Sequence, residues 1–197
     1  MSEEVAEVKE QEFSTPYLLD TCPISGSKLT SMGDPVVKMI DGREVRFCCG
    51  GCVGKFEEDK TAQFEKLDEL MIAQQLPYYP ITTCFMTDEA LDENGTPVDF
   101  IYKNRLFRFC CNDCKNMFVK RPGRFIPDVD ELIIKKQKRA YPLETCVIAG
   151  GPLDGMGGAD HFVVGNRLVK LCCASCRTTV LKDPLAVFAK IDAAKEK

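Results

Sequence analysis

The sequence predicts an α+β protein made of three small tandem modules, each a knuckle-like turn, a β-hairpin and short helices. Three observations predict it. The twelve cysteines of this 197-residue chain fall into three sets of four: Cys22, Cys48, Cys49 and Cys52; Cys84, Cys110, Cys111 and Cys114; and Cys146, Cys172, Cys173 and Cys176. One offset, 62 residues, carries each set onto the next without insertion or deletion. Other positions keep the same register, which is the signature of a repeat architecture. They include Tyr17, Tyr79 and Tyr141; Thr21, Thr83 and Thr145; Leu29, Leu91 and Leu153; Gly33, Gly95 and Gly157; Arg43, Arg105 and Arg167; and Asp68, Asp130 and Asp192.

Each module reads in the same order. A knuckle-like turn surrounds the first cysteine, as in Thr21-Cys22-Pro23-Ile24-Ser25-Gly26. The first hairpin is expected over Val36 to Ile40 and Arg43 to Phe47, around the pair Asp41-Gly42. Lys103-Asn104 and Gly165-Asn166 stand at the equivalent turns, and such pairs tolerate the positive φ of a two-residue hairpin loop. The second strand runs directly into the three-cysteine cluster. A short helix should start there, carrying Phe56, Phe118 or Val180 four residues after the last cysteine. A break follows at Lys60, Pro122 or Pro184, and then a final helix with Phe64 and Leu67, Ile126 and Val129, or Phe188 and Ile191. Residues 69–76 and 131–138 are expected to extend that helix toward the next module. The division is therefore an acidic disordered tail over 1–14 and modules over 15–76, 77–138 and 139–197.

Composition narrows the function. Hydrophobic residues make up 45% and charged residues 28% of the chain, which is ordinary for a soluble globular protein. No apolar run approaches the roughly 20 residues needed to span a bilayer, and the first residues, rich in Glu3, Glu4, Glu7, Glu10 and Glu12, lack the apolar stretch of a secretory signal. A cytoplasmic, reducing location is expected, where cysteines persist as metal ligands or redox groups rather than structural bridges. The net charge of −4 gives no basic footprint for nucleic acid. Lys135, Lys136, Lys138 and Arg139 form the one basic run and read as a solvated face.

The cysteines themselves point to metal. A unit of about 60 residues has a small core and often needs a metal or a staple. On a helix, with about 100° per residue, Cys48, Cys49 and Cys52 would lie at roughly 0°, 100° and 40° and share one face. Cys22 could then close a tetrahedral site from the other side. Two ligand sets are open: all four cysteines, or Cys22, Cys48 and Cys52 with Cys49 spare. Thiolate-only ligation suits zinc, copper(I) and other soft ions and disfavours magnesium and calcium. Three zinc tetrathiolates would each add a charge of about −2, taking the chain to roughly −10 and further from nucleic acid.

The stretch Cys22…Phe47-Cys48-Cys49-Gly50-Gly51-Cys52…Phe56 resembles the TRASH domain, a family associated with trafficking, resistance and sensing of heavy metals. It is also similar to the YHS domain, with its aromatic-Cys-x3-Cys-x3-Phe end. Both look like the treble-clef zinc fold of a small ribosomal large-subunit protein, so the resemblance implies treble-clef-like modules that handle metal. It covers nearly the whole chain after residue 15 and is strongest in the second half of each module. The gap between Cys22 and Cys48 is longer than is usual in that family. Treble-clef relatives also often carry a second knuckle cysteine, where this chain has Ser25, Thr87 and Ala149. The resemblance therefore favours Cys49, Cys111 and Cys173 as the fourth ligands.

The expected function is that of a non-enzymatic metal-binding protein holding about three zinc ions, or copper(I) or another soft metal, in heavy-metal sensing, storage or trafficking. Its partners are metal ions, with a protein partner open and neither nucleic acid nor membrane expected. The alternative is a protein-interaction scaffold with purely structural zinc. A minor alternative is thiol redox chemistry at Cys49-Gly50-Gly51-Cys52, Cys111-Asn112-Asp113-Cys114 and Cys173-Ala174-Ser175-Cys176, since a helix N-terminus lowers thiol pKa. A disulfide scaffold, such as Cys22 to Cys52, is a further alternative. His161, the single histidine, aligns with Val37 and Asp99 and is not expected to be a ligand. Met32 and Met156 share a loop position held by Asn94 in the second module and read as incidental. Met39, Met86 and Met117 read as core filler.

Overall fold

The computed structural model describes residues 14–93, 95–154 and 158–195. The acidic tail up to Phe13, and the positions of Asn94, Gly155, Met156 and Gly157, lie outside the described residues. The fold is mixed α+β, with three repeated units that each contain a two-stranded hairpin, helices and a cysteine cluster. By contact, the chain divides into two compact units. One runs to Pro77 and takes in Asp99–Arg108; the other comprises Tyr78–Val98 and Phe109–Lys197.

In the first unit, β1 (Val36–Ile40) pairs antiparallel with β2 (Arg43–Phe47), with Ile40 opposite Arg43 and Val36 opposite Phe47. Asp41 and Gly42 both take positive φ, 50° and 74°, the left-handed pair that a tight hairpin loop requires. α1 (Gly50–Glu58) and α2 (Lys60–Gln75) follow, separated by Asp59. The Asp59 side chain caps α2 by accepting the Ala62 N–H at 3.2 Å. Val45, Phe47, Phe56, Leu67 and Met71 are fully buried and form the small core. The Arg–Asp register of the sequence is an ion pair: Arg43 donates to Asp68 at 2.6 Å while its guanidinium lies 4.7 Å from the Phe64 ring centre.

The second two-stranded sheet pairs β3 (Val98–Tyr102) with β4 (Arg105–Phe109). The second unit adds α3 (Asn112–Lys120), α4 (Pro122–Gln137), β5 (Asp160–Val164), β6 (Arg167–Leu171), α5 (Arg177–Lys182) and α6 (Pro184–Lys195). Pro122 and Pro184 open their helices, where a missing N–H costs nothing. Arg167 pairs with Asp192, repeating the first module's ion pair, and its guanidinium sits between the rings of Tyr78 and Phe188.

A second repeated contact was not anticipated. The Gln75 side chain, 1% exposed, donates to the Asn104 carbonyl at 2.9 Å and accepts the Leu106 N–H at 3.0 Å. Gln137, at the same repeat position, donates to the Asn166 carbonyl at 2.8 Å and accepts the Leu168 N–H at 2.7 Å. Each glutamine thus fastens the end of one module's helix to the hairpin of the next.

Two expectations about methionine need correction. Met39 is 60% exposed and Met117 48% exposed, so neither fills the core. Met39 lies in an exposed stretch of β1, residues 37–39, and Met117 lies on the surface of α3 beside the buried Phe118. Lys135, Lys136, Lys138 and Arg139 are exposed at and beyond the end of α4. Among the described residues, no helix is long and apolar enough to cross a membrane.

Candidate metal centres

The first arm of each cluster is the knuckle. The Cys22 N–H donates to the Ser27 carbonyl at 2.8 Å, and the Cys22 carbonyl accepts the Gly26 N–H at 2.9 Å. The same pair of bonds joins Cys84 with Glu89 and Asp88, and Cys146 with Gly151 and Gly150. The fourth residue after each cysteine is left-handed: Gly26 at 68°, Asp88 at 61° and Gly150 at 71°. An isolated bridge closes each turn, pairing Thr21 with Lys28, Thr83 with Ala90 and Thr145 with Pro152.

The second arm is the junction of strand and helix, and here the helical-wheel expectation fails. Cys49 is extended, with φ −161° and ψ 166°, and the helix begins only at Gly50. Cys111 and Cys173 have nearly the same extended backbone. Cys48 and Cys49 therefore lie before the helix, and angles around its axis do not describe them. The sulfurs converge for a different reason. The extended residue turns the chain so that Cys52, at the first turn of the helix, reaches back over the strand end.

The resulting geometry brings Cys22, Cys48 and Cys52 together with all Sγ atoms within 4.8 Å of one another. Cys84, Cys110 and Cys114 do the same, as do Cys146, Cys172 and Cys176. The fourth cysteines stand beside these triplets. Cys49 Sγ is 3.7 Å from Cys52 Sγ, Cys111 Sγ is 3.9 Å from Cys110 Sγ, and Cys173 Sγ is 3.7 Å from Cys176 Sγ. Cys48 to Cys52 is 3.7 Å, Cys110 to Cys114 is 3.8 Å, and Cys146 to Cys176 is 4.0 Å. A tetrahedral thiolate site with metal–sulfur bonds of about 2.3 Å has edges of about 3.8 Å. Each triplet could hold a metal ion, with Cys49, Cys111 and Cys173 adjoining it but outside the mutually close group. The all-sulfur donor set suits zinc or copper(I) better than a hard cation.

The electrostatics of the first cluster divide its thiols. Burial opposes ionisation of Cys22, but the N–H groups of Cys48, Ser25 and Ile24 and the Ser25 hydroxyl outweigh it and bring the thiol down to about 6. Burial and hydrogen bonds to Cys49, Cys22 and Cys48 push Cys52 up to about 12. Cys49 is lowered, chiefly by the backbone N–H of Cys52. The third cluster repeats the division: Cys173 comes down to about 7, led by the Ser175 hydroxyl, and burial pushes Cys176 up to about 12. An ionised sulfur beside a protonated one is poised to take a cation and release a proton.

The non-cysteine candidates separate clearly. Ser25 Oγ lies 3.3 Å from Cys48 Sγ and Thr87 Oγ1 3.7 Å from Cys110 Sγ, while the Ala149 N–H donates to Cys146 Sγ at 3.4 Å. The Glu89 carboxylate, 3.8 Å from Cys110 Sγ, was not anticipated. No periodic signal could have found it, since Ser27 and Gly151 occupy its place in the other modules. His161 lies on β5 opposite Lys170, outside the clusters.

The three clusters are not equally covered. Cys22, Cys48 and Cys52 are buried, as are Cys84, Cys110 and Cys114, but of the third triplet only Cys146 is buried. All twelve cysteines are unbridged. Comparison of the chain with protein-family models, with curated proteins and with solved structures found no match in any of the three.

Proposed function

We propose that this chain is a metal-binding protein that holds one soft metal ion per module, zinc at rest, on four cysteine thiolates. The ligands in this reading are Cys22, Cys48, Cys49 and Cys52, with their equivalents in the other two modules. The observation that carries it is the threefold recurrence of sulfur–sulfur separations of 3.7–4.0 Å, the edge lengths of a tetrahedral thiolate site. Four ligands are preferred to three because the extended Cys49, Cys111 and Cys173 each stand at one such edge. The resemblance to TRASH and YHS domains supports a role in heavy-metal trafficking, storage or sensing, and the reading takes the chain as a binding protein rather than an enzyme.

A second reading, structural zinc within an interaction scaffold, is favoured by the burial of the first two clusters. A buried closed site holds the fold together, and such a site loses metal and fold at once.

The test is elemental analysis of the full chain purified under reducing conditions. Close to three ions per chain are expected. A folded protein with almost no metal and with all twelve thiols open to titration would overturn the proposal.

A further inference from the structure

The third cluster differs from the other two in several features around its sulfurs. In the first module the strand end and helix are sealed by aromatic rings, Phe47 against Phe56 at 5.5 Å and Phe56 against Phe64 at 5.0 Å between centres. In the second, Phe109 meets Phe118 at 5.5 Å, and Phe85, the residue after the knuckle cysteine, joins both. In the third, Leu171 and Val180 stand where the other modules have Phe47 and Phe56 or Phe109 and Phe118, and Val147 stands in place of Phe85, while Phe188 keeps the ring of Phe64. The helix also begins differently. Cys52 and Cys114 lie inside α1 and α3, whereas Ala174–Cys176 is a 3-10 turn and α5 starts only at Arg177. Arg177 reaches instead to Asp160, with its Nε donating at 2.7 Å, and lies over the Phe162 ring. The knuckle also lacks the hydroxyl that Ser25 and Thr87 place beside the sulfurs. The outcome is that Cys172, Cys173 and Cys176 are all partly exposed, where the first two modules expose only Cys49 and Cys111.

From this inequality we infer that the third cluster is the exchange site of the molecule, passing its ion to external thiolate ligands, while the first two keep theirs as fixed parts of the fold. The inference rests on the proposed metal-binding function and assigns it to one site. Exchange is a ligand substitution without redox change. An incoming thiolate takes the place of Cys173 on the ion, then of Cys176 and Cys172, and finally of Cys146. The ion leaves with its charge unaltered, and the displaced thiolates regain protons from solvent. The order follows access, because Cys146 is the one buried member. In the other modules only one sulfur is reachable from outside. There a second substitution must wait for the buried pair to open, a local unfolding that the core opposes.

The experiment uses the full chain loaded with three zinc ions, challenged with excess 4-(2-pyridylazo)resorcinol and quenched at intervals with N-ethylmaleimide. The expected result is one ion released at least tenfold faster than the other two, with the early label confined to Cys146, Cys172, Cys173 and Cys176. Cys172→Ser should remove the fast phase and leave the two slow ions in place. Three ions leaving at one rate, or early label on the first or second cluster, would overturn the inference while leaving the metal-binding function intact. A chain that takes up no zinc at all would overturn both.

Discussion

At the residue scale, the fourth cysteine of each set and the single histidine carry the sharpest expectations. Cys49 is extended and partly exposed, and its sulfur stands at a tetrahedral edge from Cys52. Cys49→Ser should therefore weaken zinc at the first site by at least a hundredfold. Ser25→Ala, which removes only a hydroxyl beside Cys48, should change affinity less than tenfold. Competition titrations against a calibrated zinc chelator read both, and equal affinities for Cys49→Ser and the parent chain would establish the three-thiolate site instead. His161 offers a separate test. Burial, then the charges of Lys138 and Lys170, holds its imidazole below the ordinary 6.5, and among the described residues its buried Nε2 has no hydrogen-bond partner. The folded state thus prefers neutral His161, and the unfolded chain takes up the proton first as pH falls. Its stabilising contribution is complete above about 6.5 and declines below that value. His161→Val, the first module's residue, should flatten the acid side of the stability–pH curve between pH 6.5 and 5, measured by urea unfolding of the zinc-loaded chain.

At the element scale, the joint between helix and hairpin matters most. Gln75 is buried, and its amide satisfies one backbone carbonyl and one backbone N–H that have turned away from their own hairpin. Asn104 extends the joint, with Nδ2 donating to the Glu44 carbonyl at 2.7 Å and Oδ1 accepting the Arg43 Nε–H at 3.0 Å. Leaving a buried backbone group unpaired costs about 1–3 kcal/mol. Gln75→Ala should therefore destabilise by about 2–4 kcal/mol, against less than about 0.5 kcal/mol for the exposed control Glu69→Ala. Chemical denaturation with zinc held in excess measures both. The hairpins themselves rest on local chemistry, because Asp41-Gly42, Lys103-Asn104 and Gly165-Asn166 supply the left-handed pairs.

At the scale of the whole molecule, three modules with one cysteine spacing produce sites of unequal access. The modules also differ at their turns. The first module has Asp41-Gly42 where the later hairpins carry Lys103-Asn104 and Gly165-Asn166, and Asp41 is engaged by Lys60 Nζ at 3.0 Å. Small cores that lean on metal should lose structure with it. Removing zinc with a strong chelator under reducing conditions should lower the melting temperature in at least two steps. Circular dichroism during stepwise removal should show most helix surviving loss of the first ion and collapsing with the later ones.

Legibility differed by the range over which each feature is determined. The limits of the first hairpin, the turn pairs and an interruption between the two helices near Lys60, Pro122 and Pro184 were readable because they rest on neighbouring residues. The helices, however, begin at those residues rather than after them. The helical wheel misled because Cys49 is extended, a backbone state fixed by the junction and invisible in spacing. Gln75, Gln137, Asn104 and Asn166 do keep the repeat register. Without the fold, however, a glutamine at a helix end looks like any solvated residue. By itself, the sequence determined the threefold repeat, the hairpin positions and the sets of cysteines, since these are matters of covalent spacing and local turn chemistry. The tertiary structure alone decided that Cys22 meets Cys48 and Cys52, that glutamines lock successive modules, and that the third cluster is the most open. Those outcomes depend on side chains distant in sequence competing for the same buried space.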